Sequence, residues 1–323
     1  MSEGQPDPTE RDDRDASDAD AGADAGAAPP RLVDLAKAMR LHQWAKNILL
    51  FVPMVTGQAF GLVGEEVLGF LLFGLCVSGV YLLNDVFDAE ADRSHPTKRH
   101  RPIASGRVDA RFAAGLGAAL LAAALAGSAI LLPTPFLAWV GVYLALNLLY
   151  TAWLKRKPII DVLILAGFYA LRIMLGGAAI GIEISAWLLA FSMFLFLSLA
   201  LIKRYVDLLD MASIGRAGST GRAYRVEDME LFRTLGPASG YMAVLVLALY
   251  VNSEAVASLY PEPRWLWLLC PLLLYWITRM WFITARRAMT ADPLIFAARD
   301  KVSYILAALV AAVLVLAKQA PLH

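Results

Sequence analysis

Apolar residues in this chain fall into long runs separated by short polar stretches, unlike the alternation of a half-buried strand or the single stripe of a surface helix. A helix needs about 17 to 25 largely apolar residues to cross a hydrocarbon core. By that rule the segments near 45–62, 66–87, 112–132, 136–154, 159–181, 185–203, 235–254, 263–283 and 302–319 read as nine spans. Pro133, Pro135, Pro158, Pro261 and Pro263 stand between runs, where proline ends one helix or opens the next. Gly115, Gly117, Gly176, Gly177 and Gly181 predict close helix approach, a packing role. The expected fold is an all-α integral membrane protein of about nine transmembrane helices.

Composition supports that reading: at 59% hydrophobic residues and a mean hydropathy of +0.58, more of the chain avoids water than one soluble core would accommodate. Cys76 and Cys270 both lie in apolar runs, so neither a disulfide nor a cysteine-based metal site is expected. The formal net charge of +1 conceals segregation, because acids crowd residues 1–30 while Lys and Arg gather in particular loops. The first thirty residues contain no apolar block able to offset ordering entropy, and read as a disordered acidic tail ahead of one transmembrane domain over 31–323. They have neither the basic start nor the apolar region of a secretory signal, so the first span is expected to insert the chain.

Orientation follows from the loops. Arg31, Lys37, Arg40 and Lys46 precede the first span, and Arg93 to Arg111 separate the second from the third. Lys155, Arg156 and Lys157 follow the fourth, and the stretches Lys203 to Arg233 and Arg286 to Lys301 follow the sixth and eighth. With nine alternating spans all of these fall on one side, while the opposite loops hold Glu65, Glu66, Glu183, Glu254 and Glu262 with Arg264 as main cation. The positive-inside rule then places the N-terminus in the cytoplasm and makes this a multi-pass protein of the inner, cytoplasmic membrane. No nucleic-acid partner is expected, and the oligomeric state, a homo-oligomer included, stays open.

The second run ends in Asn84-Asp85-Val-Phe-Asp88-Ala-Glu-Ala-Asp92-Arg93. On a helix Asp85, Asp88 and Asp92 stand at i, i+3 and i+7, on one face with no paired base among them. Such crowded carboxylates at a membrane boundary repel unless a cation is bound. Hard oxygen ligands around a diphosphate favour Mg²⁺, which takes one or two protein carboxylates and fills its shell from substrate and water; Asn84 adds a neutral ligand. A solvated helix end would explain the acids alone. What changes the balance is Lys98, Arg99 and Arg101 just downstream, donors suited to phosphate on the same side. Arg107 and Arg111 are covered by the positive-inside rule and carry no functional expectation.

The run Asn84-Asp-x-x-Asp88-x-x-x-Asp92-Arg93 followed by Lys98-Arg-His-Arg101-Pro102-Ile-Ala-Ser-Gly106 resembles the first signature of the UbiA prenyltransferase superfamily, a bundle of nine spans. Arg40-Leu-His-Gln43-Trp44-Ala-Lys46-Asn47 resembles its decaprenyl-phosphate phosphoribosyltransferase branch. So do Leu171-Arg172 with Gly176-Gly177, Ser185-Ala-Trp187 and Lys203-Arg204-Tyr205-Val-Asp207, with a weaker echo at Asp292-Pro293 and Asp300. The resemblance implies Mg²⁺-dependent transfer of the phosphoribosyl group of phosphoribosyl diphosphate to a polyprenyl phosphate of decaprenyl type, releasing diphosphate. It implies further that the product feeds cell-envelope glycan precursors and that Asp85, Asp88 and Asp92 are catalytic. Superfamily members also use acids at the cytosolic end of the sixth span, where Asp207 and Asp210 stand beside Lys203 and Arg204; Lys203 with Asp207 also fits an ordinary intrahelical ion pair. The second aspartate-rich motif of aromatic prenyltransferases is not reproduced.

That reaction needs charge stabilisation more than a nucleophilic side chain, since the acceptor phosphate is already an anion. No Ser, Cys or His triad is visible, and His42, His95, His100 and His323 are too scattered for a metal cluster. Arg40, Gln43 and Lys46 at the entrance to the first span either meet a phosphate or form a snorkelling belt with Trp44. Arg172 falls about three turns into the fifth run, where a lone cation needs a partner or a polar cavity, so a substrate contact is expected. Tyr150 and Lys155 are candidates of the same kind, whereas Asp161 is expected to cap the fifth helix. Two alternatives remain: prenyl transfer from a polyprenyl diphosphate to an aromatic acceptor, and a transporter. A transporter would carry its ionisable residues at mid-membrane between repeats, but the acids here cluster at one end and no repeat is evident.

Overall fold

A computed structural model describes residues 31–94, 98–213, 215, 224–289 and 292–319. The tail over 1–30, together with His95 and His323, lies outside them. Helix α1 (Leu32–Ala38) leads into a 3-10 helix, Leu41–Phe51, and α2 (Val52–Thr56). Then come α3 (Val63–Phe87), α4 (Ala89–Arg93), α5 (Ala110–Leu131), α6 (Thr134–Ala152) and α7 (Ile160–Ile180). The chain continues through α8 (Ala186–Ser213), α9 (Met229–Val251), α10 (Glu254–Leu259), α11 (Leu269–Ala285), α12 (Pro293–Ala297) and α13 (Lys301–Gln319).

Among the described residues eight helices are long and apolar enough to cross a membrane, built on α3, α5, α6, α7, α8, α9, α11 and α13. The first expected span, 45–62, is not a single helix: the 3-10 stretch runs into five residues of α2, and the chain turns at Gly57 and Gln58 before α3. A 3-10 helix rises about 2.0 Å per residue against about 1.5 Å for an α-helix, so Leu41–Thr56 is about 30 Å long, close to a hydrocarbon thickness. Helix α8 runs ten residues beyond its expected end because Arg204, Tyr205, Leu208 and Leu209 stay buried past the apolar run. Exposed Ile130, Leu148 and Leu149 make sense as lipid-facing positions of a multi-pass membrane protein.

Successive helices pack side by side, and two apolar cores result. Leu72, Phe73, Ala124, Phe136, Tyr143 and Leu175 join α3, α5, α6 and α7; Tyr169, Phe196, Leu199, Phe232, Ile277 and Trp281 join α7 to α8, α9 and α11. The 3-10 stretch is a wedge between them, with Leu49 on one core and Leu50 on the other. Inside a bilayer such packing rests on van der Waals fit and interhelical hydrogen bonds, lipid being as apolar as leucine. The fit is tight: a Cβ at Gly176 would lie 1.9 Å from the Leu50 carbonyl oxygen, and one at Gly74 would lie 2.8 Å from the Trp44 indole. Trp44 Nε1–H donates to Ser78 Oγ (3.0 Å), which donates to the Met39 carbonyl (2.9 Å), pinning the wedge to α3.

Candidate functional site

In a 3-10 helix side chains at i and i+3 eclipse, so Gln43 and Lys46 share one row and Trp44, Asn47 and Leu50 another. Arg40, in the left-handed region at φ 51°, leads into the first row. The wedge thereby faces the ends of α3 and α8 and the middle of α7 with a polar edge.

The first cluster forms where α3 ends. Arg40 Nη2 donates to Asp85 Oδ1 at 2.6 Å while its guanidinium stacks 4.5 Å above the Tyr81 ring. Arg101 Nη1 bridges Asp85 Oδ1 (3.2 Å) and Asp92 Oδ2 (2.6 Å), and Lys98 Nζ stands 3.7 Å from Asp92. Arg101 is fixed because Ile103 and Val108, 2% and 1% exposed, anchor its loop in a small core with Leu82 and Ala113. Arg107 ties the same loop to α1 through Asp34 (2.8 Å).

Two expectations for the acidic run are corrected here. The helix is interrupted at Asp88, so Asp85 and Asp92 are buried and share Arg101, while Asp88 points to the exposed side. Nor do Asp85 and Asp92 lack a paired base, since Arg40 and Arg101 neutralise them in this arrangement. Among the described residues no three His, Cys, Asp or Glu side chains form a closed metal cage. Asp85, Asp92, exposed Asp88 and half-buried Asn84 instead suit a Mg²⁺ ion that draws part of its shell from substrate oxygens. Arg99 is exposed and bonds to His100, and Gln43 is half-buried beside His42.

The second cluster surrounds Asp292, a residue that sequence reasoning noted only as a faint echo. Lys46 Nζ donates to its Oδ2 at 2.7 Å, Lys203 Nζ lies 3.2 Å from the same oxygen, and the Tyr169 hydroxyl is 3.1 and 3.2 Å from the two oxygens. Burial alone would raise the Asp292 pKa, but Lys203 and Lys46 outweigh it and hold the carboxyl well below the usual range. Arg172 lies three residues after Tyr169, on the same face of α7. Its Nε donates to Asn47 Oδ1 (3.1 Å), Nη1 donates to the Phe168 carbonyl, and the rings of Phe73 and Tyr169 lie 5.5 and 6.0 Å away. The intramembrane cation is thus paired at the edge of this cluster.

A third set stands apart. Arg204, 1% exposed, donates Nε to Asp161 Oδ2 (2.5 Å), Nη2 to Asp161 Oδ1 (3.0 Å) and to the Tyr150 hydroxyl (2.9 Å), and Nη1 to Asp207 Oδ2 (2.6 Å). Neighbours on a helix diverge by about 100°, which is why Lys203 reaches α12 while Arg204 reaches α7. Lys203 does not pair with Asp207, and Asp161 serves Arg204 where a helix cap was expected; the residue at the cap position of α7, Ile159, makes no side-chain cap bond. Arg204, Tyr150 and Asp207 therefore join one another across α6, α7 and α8. Lys155 sits half-buried on the turn after α6 and Asp210 is exposed near the end of α8, and the structure brings neither into the first two clusters.

The profile of the UbiA prenyltransferase family matches residues 50–302. The uncharacterized protein y4nM of Sinorhizobium fredii is 38% identical over 288 residues, 88% of this chain and 56% of that protein. The decaprenyl-phosphate phosphoribosyltransferase of Corynebacterium glutamicum is 39% identical over 188 residues, 56% of this chain and 57% of that enzyme. The chain spans just over half the length of these two relatives. Among solved structures, a UbiA homolog from Archaeoglobus fulgidus bound to GPP and Mg²⁺ superimposes with a TM-score of 0.64 over 87% of this chain and 99% of that one, at 20% identity.

Proposed function

The chain belongs to the UbiA prenyltransferase family, and from that premise we propose that it transfers the 5-phosphoribosyl group of phosphoribosyl diphosphate to a polyprenyl phosphate, releasing diphosphate. The observation that carries this reading is the pairing of two anion-handling clusters of different make at one end of the bundle. The first is rich in carboxylates and suits a metal-bound diphosphate; the second sets Lys46 and Lys203 on the single carboxylate of Asp292, with Arg172 at its edge on Asn47. Two anionic substrates account for both, whereas an aromatic acceptor leaves the second without a purpose. The phosphoribosyltransferase of Corynebacterium glutamicum adds support over about half the chain.

The residues divide the work as follows. Arg40, Arg101 and Lys98 donate to diphosphate oxygens, stabilising charge that grows as the leaving group departs. Asp85, Asp88, Asp92 and Asn84 would hold a Mg²⁺ ion, which would supply further neutralisation of that diphosphate. Lys46 and Lys203 orient the acceptor phosphate toward the sugar. The bond from the anomeric carbon to the diphosphate oxygen breaks, a bond to the acceptor phosphate oxygen forms, and the electron pair leaves on diphosphate. No proton transfer is required, since the acceptor phosphate is already an anion. Extending the loop-charge argument, this face lies in the cytoplasm of a cell whose inner membrane holds the protein, and the lipid product serves envelope glycan synthesis.

Purified protein incubated with phosphoribosyl diphosphate, a polyprenyl phosphate and Mg²⁺ should give a phosphoribosyl lipid by mass spectrometry, and none when Asp85 is replaced by Ala. Product formed only from a polyprenyl diphosphate and an aromatic acceptor would refute the reading in favour of prenyl transfer.

A further inference from the structure

Asp292 is the member of the second cluster that the proposed reaction leaves without a task. It stands 246 residues from Lys46 along the chain, in the connection between α11 and α13. Its two oxygens take Lys46, Lys203 and the Tyr169 hydroxyl, and Oδ1 also caps α12 by accepting from the Leu294 N–H at 3.2 Å. One carboxylate thus ties the wedge, α7, α8 and α12 together. The charged groups facing it are Lys46 from the wedge, Lys203 from α8 and, through Tyr169, Arg172 from α7; His42 lies one turn before Lys46. Two lysines contact one acid and Arg172 stands behind Tyr169 on Asn47, a formal excess of two positive charges in a region where Lys46 and Arg172 are only 8% and 5% exposed. Such an excess is stable only if another anion arrives or a lysine gives up its proton. Each ammonium has three donors, and Asp292 engages one on each.

We propose that Asp292 is a positioning residue that holds Lys46 and Lys203 as a paired ammonium clamp for a phosphate monoester, at a subsite distinct from the acidic cluster. This rests on the reading above, in which two substrates bring a phosphate monoester: the lipid phosphate and the 5-phosphate of the sugar donor. The shared chemistry is a dianion whose oxygens take the ammonium donors that Asp292 leaves over. Asp292 touches no reacting atom. It offsets part of the mutual repulsion of the two lysines, so that protonating both for an incoming dianion costs less.

Geranyl phosphate and ribose 5-phosphate are the probes, each titrated calorimetrically into the full-length detergent-solubilised protein at pH 6.5 and 8.5. Wild type should bind at least one. Asp292→Asn should weaken that probe about tenfold at pH 8.5 and far less at pH 6.5, because without the carboxylate protonating both lysines becomes more costly as pH rises. Asp292→Glu should restore most of the loss, and the probe affected identifies which substrate's phosphate occupies the clamp. Equal binding to wild type and Asp292→Asn at both pH values, or an equal loss at both, overturns the proposal. Should Asp292→Asn fail to fold, Lys203→Gln, with its side chain 30% exposed, must lose the same probe at both pH values, and unchanged binding overturns the proposal equally. Because no turnover is measured, a wild type that makes no phosphoribosyl lipid would sink the function above and leave this result standing.

Discussion

Arg204 was expected at the substrate yet is enclosed by protein partners, so its removal distinguishes a structural strut from a substrate contact. Replacing it by Met leaves the Asp161 carboxylate, fully buried, with the Tyr150 hydroxyl (2.9 Å) as its remaining partner in this network. Breaking a buried ion pair from one side costs about 3–5 kcal/mol, because the orphaned charge keeps its desolvation penalty. In a chain of this size that corresponds to a fall of roughly 5–15 °C in Tm. Adding Asp161→Asn removes the orphaned charge while leaving an oxygen for Tyr150, and should recover all but about 1–2 kcal/mol. The assay is thermal unfolding in detergent by tryptophan fluorescence, with transferase activity per folded molecule measured alongside. The double variant should keep activity within about threefold of wild type. A double variant no more stable than Arg204→Met, or one that is stable but inactive, would refute the reasoning and return Arg204 to the substrate.

Gly176→Val should displace the wedge, since even a Cβ would lie 1.9 Å from the Leu50 carbonyl; a loss of about 1–3 kcal/mol together with activity is expected, measured as melting temperature and turnover. Asp85→Asn should lower turnover about 10²–10³-fold and raise the Mg²⁺ concentration for half-maximal rate, whereas exposed Arg99→Ala should change neither beyond about threefold; equal effects would show that burial and ion pairing do not mark the site. Asp292 ionises below the usual carboxylate range, so its stabilising contribution is complete above about pH 4 and is lost as pH falls toward the depressed folded value. Acid titration of stability should therefore be shallower in Asp292→Asn than in wild type.

The long helices were legible because uniform apolar runs carry their own length. Helical spacing put Asp85, Asp88 and Asp92 on one face, but Asp88 turns outward where the helix breaks, and the arginines were not legible: Arg101 arrives through a loop whose placement depends on Ile103 and Val108 finding a small core. Asp292 was nearly invisible. An Asp before Pro reads as an ordinary helix start, and nothing local reveals that the same carboxylate meets Lys46 from 246 residues away. Asp161 misled for the converse reason, since an acid near a helix start satisfies the capping rule by position while its actual partner, Arg204, lies 43 residues on.

The first segment explains most of what sequence spacing alone misjudged. Read with an α-helical period, Arg40, Gln43 and Lys46 drift around the helix, so spacing does not choose between a phosphate contact and a belt at a membrane boundary. At three residues per turn the last two align, with Arg40 leading in, and the same winding sends Trp44, Asn47 and Leu50 toward the bundle. Sustaining eleven residues of 3-10 helix requires outside support, because runs longer than three or four are uncommon. That support is the Trp44–Ser78–Met39 chain of hydrogen bonds, the bare backbone of Gly74 and Gly176, and the grip of Asp292 on Lys46. The contacts that set the winding come from α3, α7 and the connection before α12, so the geometry of this polar edge is a property of the assembled bundle.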